Sequence, residues 1–541
     1  MTFLSLLLVA LLTLRTVADA PPTKPVCSPP SPPLFAANPP AVSDSRIASA
    51  SSQFRDFLQQ ALNNDTSVDS YAVAVVSSTG TILEATFGKL KANETNPGQV
   101  TRDSLYRVAS LSKLFATVEV LQLRQKNALS LDDTVDKFLP SFVPSRLPGG
   151  GAREPISIRQ LLAHLSGLGR DLPPGNMTDW PHSLAGLLGP GVSSPIPTEA
   201  QLLQSISSIE RAVDPWSLPI YSNTGYDVVG LVVDAADAKL RGVARSGYSA
   251  VMQRDVFTPL GMTATGFKVT SQNAAKVVVS SVVPAEADTD YTDVLNAAIG
   301  QLSSLADLQK VVPMLLNAAT KGALLTASTL REWFRPVHLW QDHATEVGLL
   351  WEIARRQDSF GRTYRTYEKL GVLNSYHHVF TLNPSSGYSV IVLTSGAFAN
   401  THDIAQKAYS LYQPAFDAIL TEQLTSKYAG TWKSGNSTVS IAVGSGGLWV
   451  TGLVLDGEDV LKVVQGSDSA VALWPASGTE IYRCVLSCSE RKANDALKCI
   501  PNWLSVDFGH KNGISVDLLT FATQNGARVL QVPALGLTLS R

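Results

Sequence analysis

Apolar and polar positions divide this chain into stretches of different texture. Phe3–Leu14 is an apolar run too short to span a bilayer. Residues 21–40 are rich in paired prolines and read as an extended arm. Apolar spacing predicts a helix around Phe54–Leu62. Tyr71–Val76, the turn residues Ser78-Thr79-Gly80 and Ile82–Phe87 predict a β-hairpin. Leu114 to Leu123 repeats with a helical period, and helical segments dominate from Ser110 to about residue 265, broken by a Pro/Gly-rich region near 171–197. Strands return at Val379–Leu382 and, after Ser385-Ser386-Gly387, at Tyr388–Thr394. Strand, long helical insertion, strand is the pattern of an α+β domain whose sheet is built from both ends of its segment. Beyond about residue 420, Val439–Val443, Leu448–Leu455, Leu461–Val464 and Val529–Val532 are short β-like runs separated by Gly, Ser, Asn and Asp. They predict a separate antiparallel β-domain, barrel or sandwich. No internal repeat is present.

Composition agrees with a large globular domain and a smaller one: 541 residues, 45% hydrophobic and 16% charged. The net charge of −2, with Lys and Arg scattered, gives no reason to expect nucleic acid or an anionic membrane as partner. The leading apolar run, closed by Arg15 and followed by the small residues Ala18-Asp19-Ala20, reads as a signal peptide cleaved near residue 20, although no Lys or Arg precedes it. Export fits four N-x-S/T sequons, at Asn64, Asn93, Asn176 and Asn436, as glycosylation acceptors. It also fits four cysteines, Cys27, Cys484, Cys488 and Cys499, as two disulfides with three possible connectivities. Cys488 with Cys499, a short local loop, is the preferred pair, leaving Cys27 for Cys484. The expected layout is a signal peptide at 1–20, an arm at 21–50, a main domain at 51–420 and a β-rich domain at 421–541. The product is a secreted protein with no membrane association after cleavage.

Chemistry concentrates at three places. Ser110-Leu111-Ser112-Lys113 puts a hydroxyl and an amine three residues apart, hence on one side of a helical turn. An unprotonated lysine there can take the serine proton and activate the oxygen as a nucleophile. The free N–H groups of the first turn favour the negative charge that develops. Tyr221-Ser222-Asn223 adds a phenol able to relay a proton and an amide able to donate to substrate and accept from a lysine. Alone, Tyr221 reads as an ordinary core aromatic. Lys369-Leu370-Gly371 lies on a predicted strand, where a glycine allows close approach of a substrate and the Val372 N–H can join that of Ser110 as an oxyanion hole. Lys369, a second cation, would help keep Lys113 neutral. Alone, it reads as a solvated strand lysine. His164 reads as a packed or loop-bracing residue, and His377-His378 either line a cleft or pack at a strand edge. The eight histidines show neither H-x-H nor H-E-x-x-H spacing, so no metal and no cofactor is expected. Ser166 lacks the leading glycine of a G-x-S-x-G elbow, against an α/β-hydrolase.

Taken together and in order, Ser-x-x-Lys, Tyr-x-Asn and Lys-x-Gly resemble the motif set of serine β-lactamases and penicillin-binding proteins. Ile156–Leu168 (ISIRQLLAHLSGL), Phe257–Met262 and Asn296–Leu308 resemble further landmarks of the class C-like branch, and the resemblance covers roughly residues 50–415. The exported form with an arm and a C-terminal β-domain is similar to the β-lactamase-like proteins of filamentous fungi. The resemblance implies an antiparallel sheet flanked by helices plus an all-helical region. It also implies Ser110 as acylated nucleophile, Lys113 and Tyr221 sharing the base and acid roles, and Asn223 and Lys369 orienting a small-molecule acyl substrate. One departure matters: relatives acting on β-lactams usually carry Thr or Ser where this chain has Leu370, and that hydroxyl helps hold the antibiotic carboxylate. A less anionic ester, lactone or amide is the expected substrate, with acyl transfer in natural-product assembly and a catalytically silent binding protein as alternatives. Oligomeric state is not readable from the sequence.

Overall fold

The computed structural model describes residues 26–541 apart from 176–177, 179–180, 183–195, 398, 467–468, 487–497 and 508. The expected signal peptide, Asn176 and Cys488 lie outside the described residues. The chain forms two units. The larger comprises Phe35–Arg356 and Thr363–Gln413; the smaller takes the residues up to Leu34, Gln357–Arg362 and Pro414–Arg541.

The strands of the larger unit are β1 (Val68–Ser77), β2 (Gly80–Gly88), β3 (Leu105–Arg107), β4 (Leu302–Ser304), β5 (Pro336–Leu339), β6 (Thr345–Gly348), β7 (Glu352–Gln357), β8 (Thr363–Val372), β9 (Tyr376–Asn383) and β10 (Tyr388–Gly396). Eight of them form an antiparallel sheet in the order β2-β1-β10-β9-β8-β7-β6-β5. The hairpin expected near residue 80 is β1–β2, and its β1 pairs with β10 (Val73 opposite Val392), which joins the two ends of the segment. All ten residues of β1 are buried, so the sheet is covered on both faces, which explains a near-continuous apolar strand rather than an alternating one. The helix expected around Phe54–Leu62 begins earlier, at Ser45, where the Asp44 side chain accepts from the Arg46 N–H. It buries Ile47, Ala50, Phe54 and Leu58 along one stripe. Its first turns, rich in Ser and Ala, carry too few large apolar residues to announce a helix.

The short pair β3–β4 matters most for position. Arg107 opposes Leu302, and the next N–H, of Val108, donates to the Gln301 carbonyl at 2.9 Å. The segment leading into Ser110 is thereby tied to the 298–301 loop. The buried Arg107 guanidinium donates to the carbonyls of Phe267, Ala287 and Gly300 at 2.9–3.0 Å, fixing that loop from behind.

In the smaller unit eight strands close into a barrel. In spatial order they are Ser437–Gly444, Gly430–Ser434, Leu537–Ser540, Ala527–Val532, Leu518–Gln524, Ile481–Cys484, Val471–Ser477 and Gly447–Leu455. The first and last also pair, with Val439 opposite Leu453, so the barrel has no open edge. Phe521 centres its core, with Tyr428, Trp432 and Tyr482 edge-on at 4.9–5.6 Å between ring centroids.

Two sequence expectations fail here. Leu461–Val464 is not a strand but part of the helix Val460–Gln465, capped by the Asp459 side chain on the Lys462 N–H and stopped by Gly466 at φ 66°. Those end signals outweigh the β-branched content. The disulfide joins Cys27 to Cys499, not Cys27 to Cys484, which also removes the expected Cys488–Cys499 pair. Cys484 is a buried free thiol at a barrel strand's end, where burial pushes its pKa up and keeps it unreactive. Non-reducing peptide mapping is expected to yield one crosslink between Cys27 and Cys499, with Cys484 alkylated only after denaturation; a Cys27–Cys484 crosslink would overturn this arrangement. Asn64, Asn93 and Asn436 are all exposed. Among the described residues no helix is long and apolar enough to cross a membrane.

Candidate active site

Ser110 sits in the 3-10 turn Ala109–Leu111 that runs directly into the helix Ser112–Gln125. Ala109 holds φ 51°, a left-handed conformation that costs a residue with a Cβ about 1 kcal/mol or more. Strain of this kind persists where the surroundings over-determine it. Here they do: Ser112 Oγ donates to the Ala109 carbonyl at 2.6 Å and accepts from the Gln301 N–H at 3.1 Å. The helix that follows is buried from Ser112 to Leu123, so the turn is mounted on the core.

Lys113 Nζ lies 3.0 Å from Ser110 Oγ, 2.7 Å from Asn223 Oδ1 and 2.8 Å from the Ala298 carbonyl oxygen. A neutral amine has two N–H donors and one lone pair. With the two carbonyl-type oxygens taking the two N–H groups, the lone pair is left for the serine hydroxyl. Burial is the main cause that lowers the Lys113 pKa, the nearby positive charge of Lys369 adds to it, and Tyr221 opposes both. Tyr221 Oη donates to Ser110 Oγ at 2.8 Å. Burial alone would raise the Tyr221 pKa, but Lys113 and Lys369 outweigh it and the result is lowered. Both lysine nitrogens lie near the face of its ring, at 5.1 and 4.9 Å from the centroid. The constellation holds a serine between two groups that can each exchange a proton with it.

Residues not singled out from the sequence complete the site. Glu352 on β7 pairs with Lys369 Nζ and accepts from the Leu370 N–H at 2.8 Å. Burial would lower the Lys369 pKa, but the Glu352 charge raises it, so the two lysines shift in opposite directions. Asp171 accepts from Asn223 Nδ2 at 2.7 Å, which fixes the amide with its oxygen toward Lys113. Glu286 accepts from the N–H groups of Asn374 and Ser375 at 3.2 and 2.8 Å and pins the turn between β8 and β9.

His164 is the bracing residue expected of it. Its ring stacks on Tyr221 at 4.7 Å, its Nδ1 accepts from the Ser222 N–H at 3.1 Å, and its carbonyl accepts from the Ile220 N–H. Burial, then Lys113 and Lys369, keep it neutral. His378 packs in the sheet rather than lining the cleft: the Thr394 N–H donates to its Nδ1 at 3.2 Å, so Nε2 carries the proton and donates to the Arg107 carbonyl at 2.8 Å. His377 lines the cleft.

Gly371 has a different use from the one expected. A Cβ there would stand 2.5 Å from the Val108 carbonyl oxygen and 3.3 Å from Leu111 Cγ. The space a side chain would fill holds the protein's own serine turn, not substrate, and the missing Cβ lets β8 lie against residues 108–111. Gly371→Ala is expected to push the two apart, costing about 1–3 kcal/mol. A displacement on the order of 1 Å at a reacting group is worth roughly 10²-fold in rate. A thermal melt and kcat/KM on an activated ester check this; an alanine variant equal to wild type in both would sink it.

Ser110, Tyr221, Asn223, Lys369 and Val372 all line one cleft of about 980 Å³, whose wall is largely apolar, with Leu172, Val282, Leu295, Ile299, Leu370 and Leu373. The "Beta-lactamase" family profile matches residues 54–413 of this chain. The chain belongs to the β-lactamase family. A second profile, described as the C-terminal domain of a β-lactamase-like group, matches residues 420–541. The β-lactamase-like protein str6 of Strobilurus tenacellus is 36% identical over 303 residues, 53% of this chain and 96% of that protein. Among solved structures, EstCE1, described as a hydrolase with promiscuous acyltransferase activity, superposes with a TM-score of 0.55 at 20% identity, over 69% of this chain and 99% of that one. A class C β-lactamase superposes with a TM-score of 0.53 at 17% identity, over 68% and 98%. As a β-lactamase-family protein the chain is serine-hydrolase-like. The site described above lies wholly in the larger unit.

Proposed function

We propose that this chain is a secreted serine hydrolase that forms an acyl-Ser110 intermediate on an uncharged, apolar ester, lactone or amide. The observation that carries the reading is the Ser110 hydroxyl held between a lysine and a tyrosine, with both lysine N–H groups already engaged. Lys113 takes the proton of Ser110 Oγ as that oxygen bonds to the acyl carbon, and the carbonyl oxygen gains the negative charge. The Ser110 and Val372 N–H groups are the donors assigned to that oxyanion. Collapse breaks the bond to the leaving group, which is protonated through Tyr221. Water then adds to the acyl carbon, loses its proton to the Lys113–Tyr221 pair, and releases the acid and free Ser110.

The cleft's electrostatics support an uncharged substrate. Lys369 is neutralised by Glu352, Arg170 is paired with Asp171 at 3.3 Å, and Leu370 stands where a hydroxyl would help hold a carboxylate. An anionic β-lactam meets no unpaired cation among these groups. Acyl transfer differs only in the acceptor, and a cleft of about 980 Å³ leaves room for an alcohol beside the acyl group. The leading apolar run, the Cys27–Cys499 bridge and the exposed sequons favour export and glycosylation.

Intact-protein mass after incubation with a fluorophosphonate tests the reading. One adduct is expected, mapping to Ser110 within the tryptic peptide Val108–Lys113. Folded protein that takes up no adduct and turns over no p-nitrophenyl ester or lactone would favour the binding-protein alternative.

A further inference from the structure

Asp227 is a carboxyl in the cleft that the acyl-serine chemistry does not use. It lies on the helix Asn223–Arg241 one turn after Asn223, so the two side chains share a face. It lines the same cleft as Ser110, Ala298 and Ile299. Only 2% of the residue is exposed, yet its Oδ1 has no hydrogen-bond partner. A charge in that position would go uncompensated, and burial lifts the Asp227 pKa well above the usual carboxylate range; the Asp171 charge reinforces this and Lys113 opposes it. Burial thus favours the protonated acid, which carries an O–H to donate. An unanswered buried donor costs stability, where a leucine of similar size would not. Local costs of this kind, retained beside an active site, are where function is expected.

We propose that Asp227 is a specificity-determining hydrogen-bond donor, and that the acyl group accepted here is an apolar chain carrying an uncharged acceptor oxygen such as a ketone. This rests on the acyl-Ser110 reading and names the substrate class for it. The acceptor oxygen satisfies the donor that the protein leaves open, and the chain lies along the wall formed by Val282, Leu295 and Ile299.

The test uses a matched series of p-nitrophenyl octanoates, plain or bearing a ketone at carbon 3, 5 or 7, on wild type, Asp227→Asn and Asp227→Leu. Wild type is expected to favour at least one ketone over the plain ester by about 10-fold or more in kcat/KM, through KM. Asp227→Asn, which still donates, keeps most of that preference, and Asp227→Leu loses it while melting at a higher temperature. Absence of any ketone preference in wild type, or equal preference in the leucine variant, overturns the proposal even if every ester is turned over. Should the leucine variant fail to fold, the wild-type and asparagine preferences decide. Failure of the underlying reading looks different: no ester is turned over and no fluorophosphonate adduct forms.

Discussion

Ser110→Ala is expected to bring ester turnover down to the uncatalysed background, a loss on the order of 10⁴-fold or more, which is the scale on which removal of a nucleophile acts. Among the described residues no other serine or threonine lines the cleft. Ser112 is fully buried, with its Oγ engaged by Ala109 and Gln301, and Ser166 is buried too. The variant should remain folded, because deleting one oxygen from a residue that is 7% exposed leaves a gap smaller than a water molecule. Circular dichroism, kcat/KM on a p-nitrophenyl ester and the fluorophosphonate adduct together check it. Retention of more than a few per cent of wild-type turnover would mean that Ser110 is not the nucleophile.

Lys113→Met is expected to cost about 10³-fold, within the range of general acid–base catalysis. Methionine keeps the length of the stem but supplies no lone pair to Ser110, and it leaves Asn223 Oδ1 and the Ala298 carbonyl without their donor. A pH profile separates the base role from a packing role. Turnover needs Lys113 neutral, and its folded pKa lies below the ordinary lysine value. Wild-type kcat/KM should therefore rise with pH through that lowered pKa, and fall on the acid side as the amine protonates. In the methionine variant this limb should disappear or move to Tyr221. An unchanged limb, or a loss of less than about 10-fold, would remove Lys113 from the chemistry.

The parts of this site legible from sequence are those whose spacing is local or ordered. Ser110 and Lys113 are three apart on one turn, and their contact follows from helical geometry. Tyr221, Asn223 and Lys369 became readable only as a series, because each alone fits an ordinary core or surface position. Glu352 and Asp171 left no such trace. Glu352 meets Lys369 through the lateral placement of β7 and β8, and Asp171 meets Asn223 across a loop whose path depends on the surrounding core. Asp227 carries no sequence signal; its burial and its unpartnered Oδ1 appear only in the fold. The fold reads the same way. β1 and β10 were visible as apolar runs, whereas the capped helix Val460–Gln465 imitates a strand until Asp459 and Gly466 are read as its ends. The Cys27–Cys499 bridge defeats reasoning from short loops, because its partners are 472 residues apart and only the tertiary fold brings them together.

That bridge also sets a timetable for biosynthesis. Its partners are 472 residues apart, and synthesis proceeds at about 5–20 residues per second, so Cys27 emerges roughly 25 to 95 s before Cys499 exists. Within that interval the whole of Phe35–Gln413 leaves the ribosome. The hydrolase-like unit can therefore fold while the thiol that will close the smaller unit is still waiting. On the export route proposed above, Cys27 meets oxidants and mixed disulfides with other nascent chains during the wait. Production in a host whose secretory compartment holds and reshuffles such early thiols should give more native protein than production where the first oxidation is final.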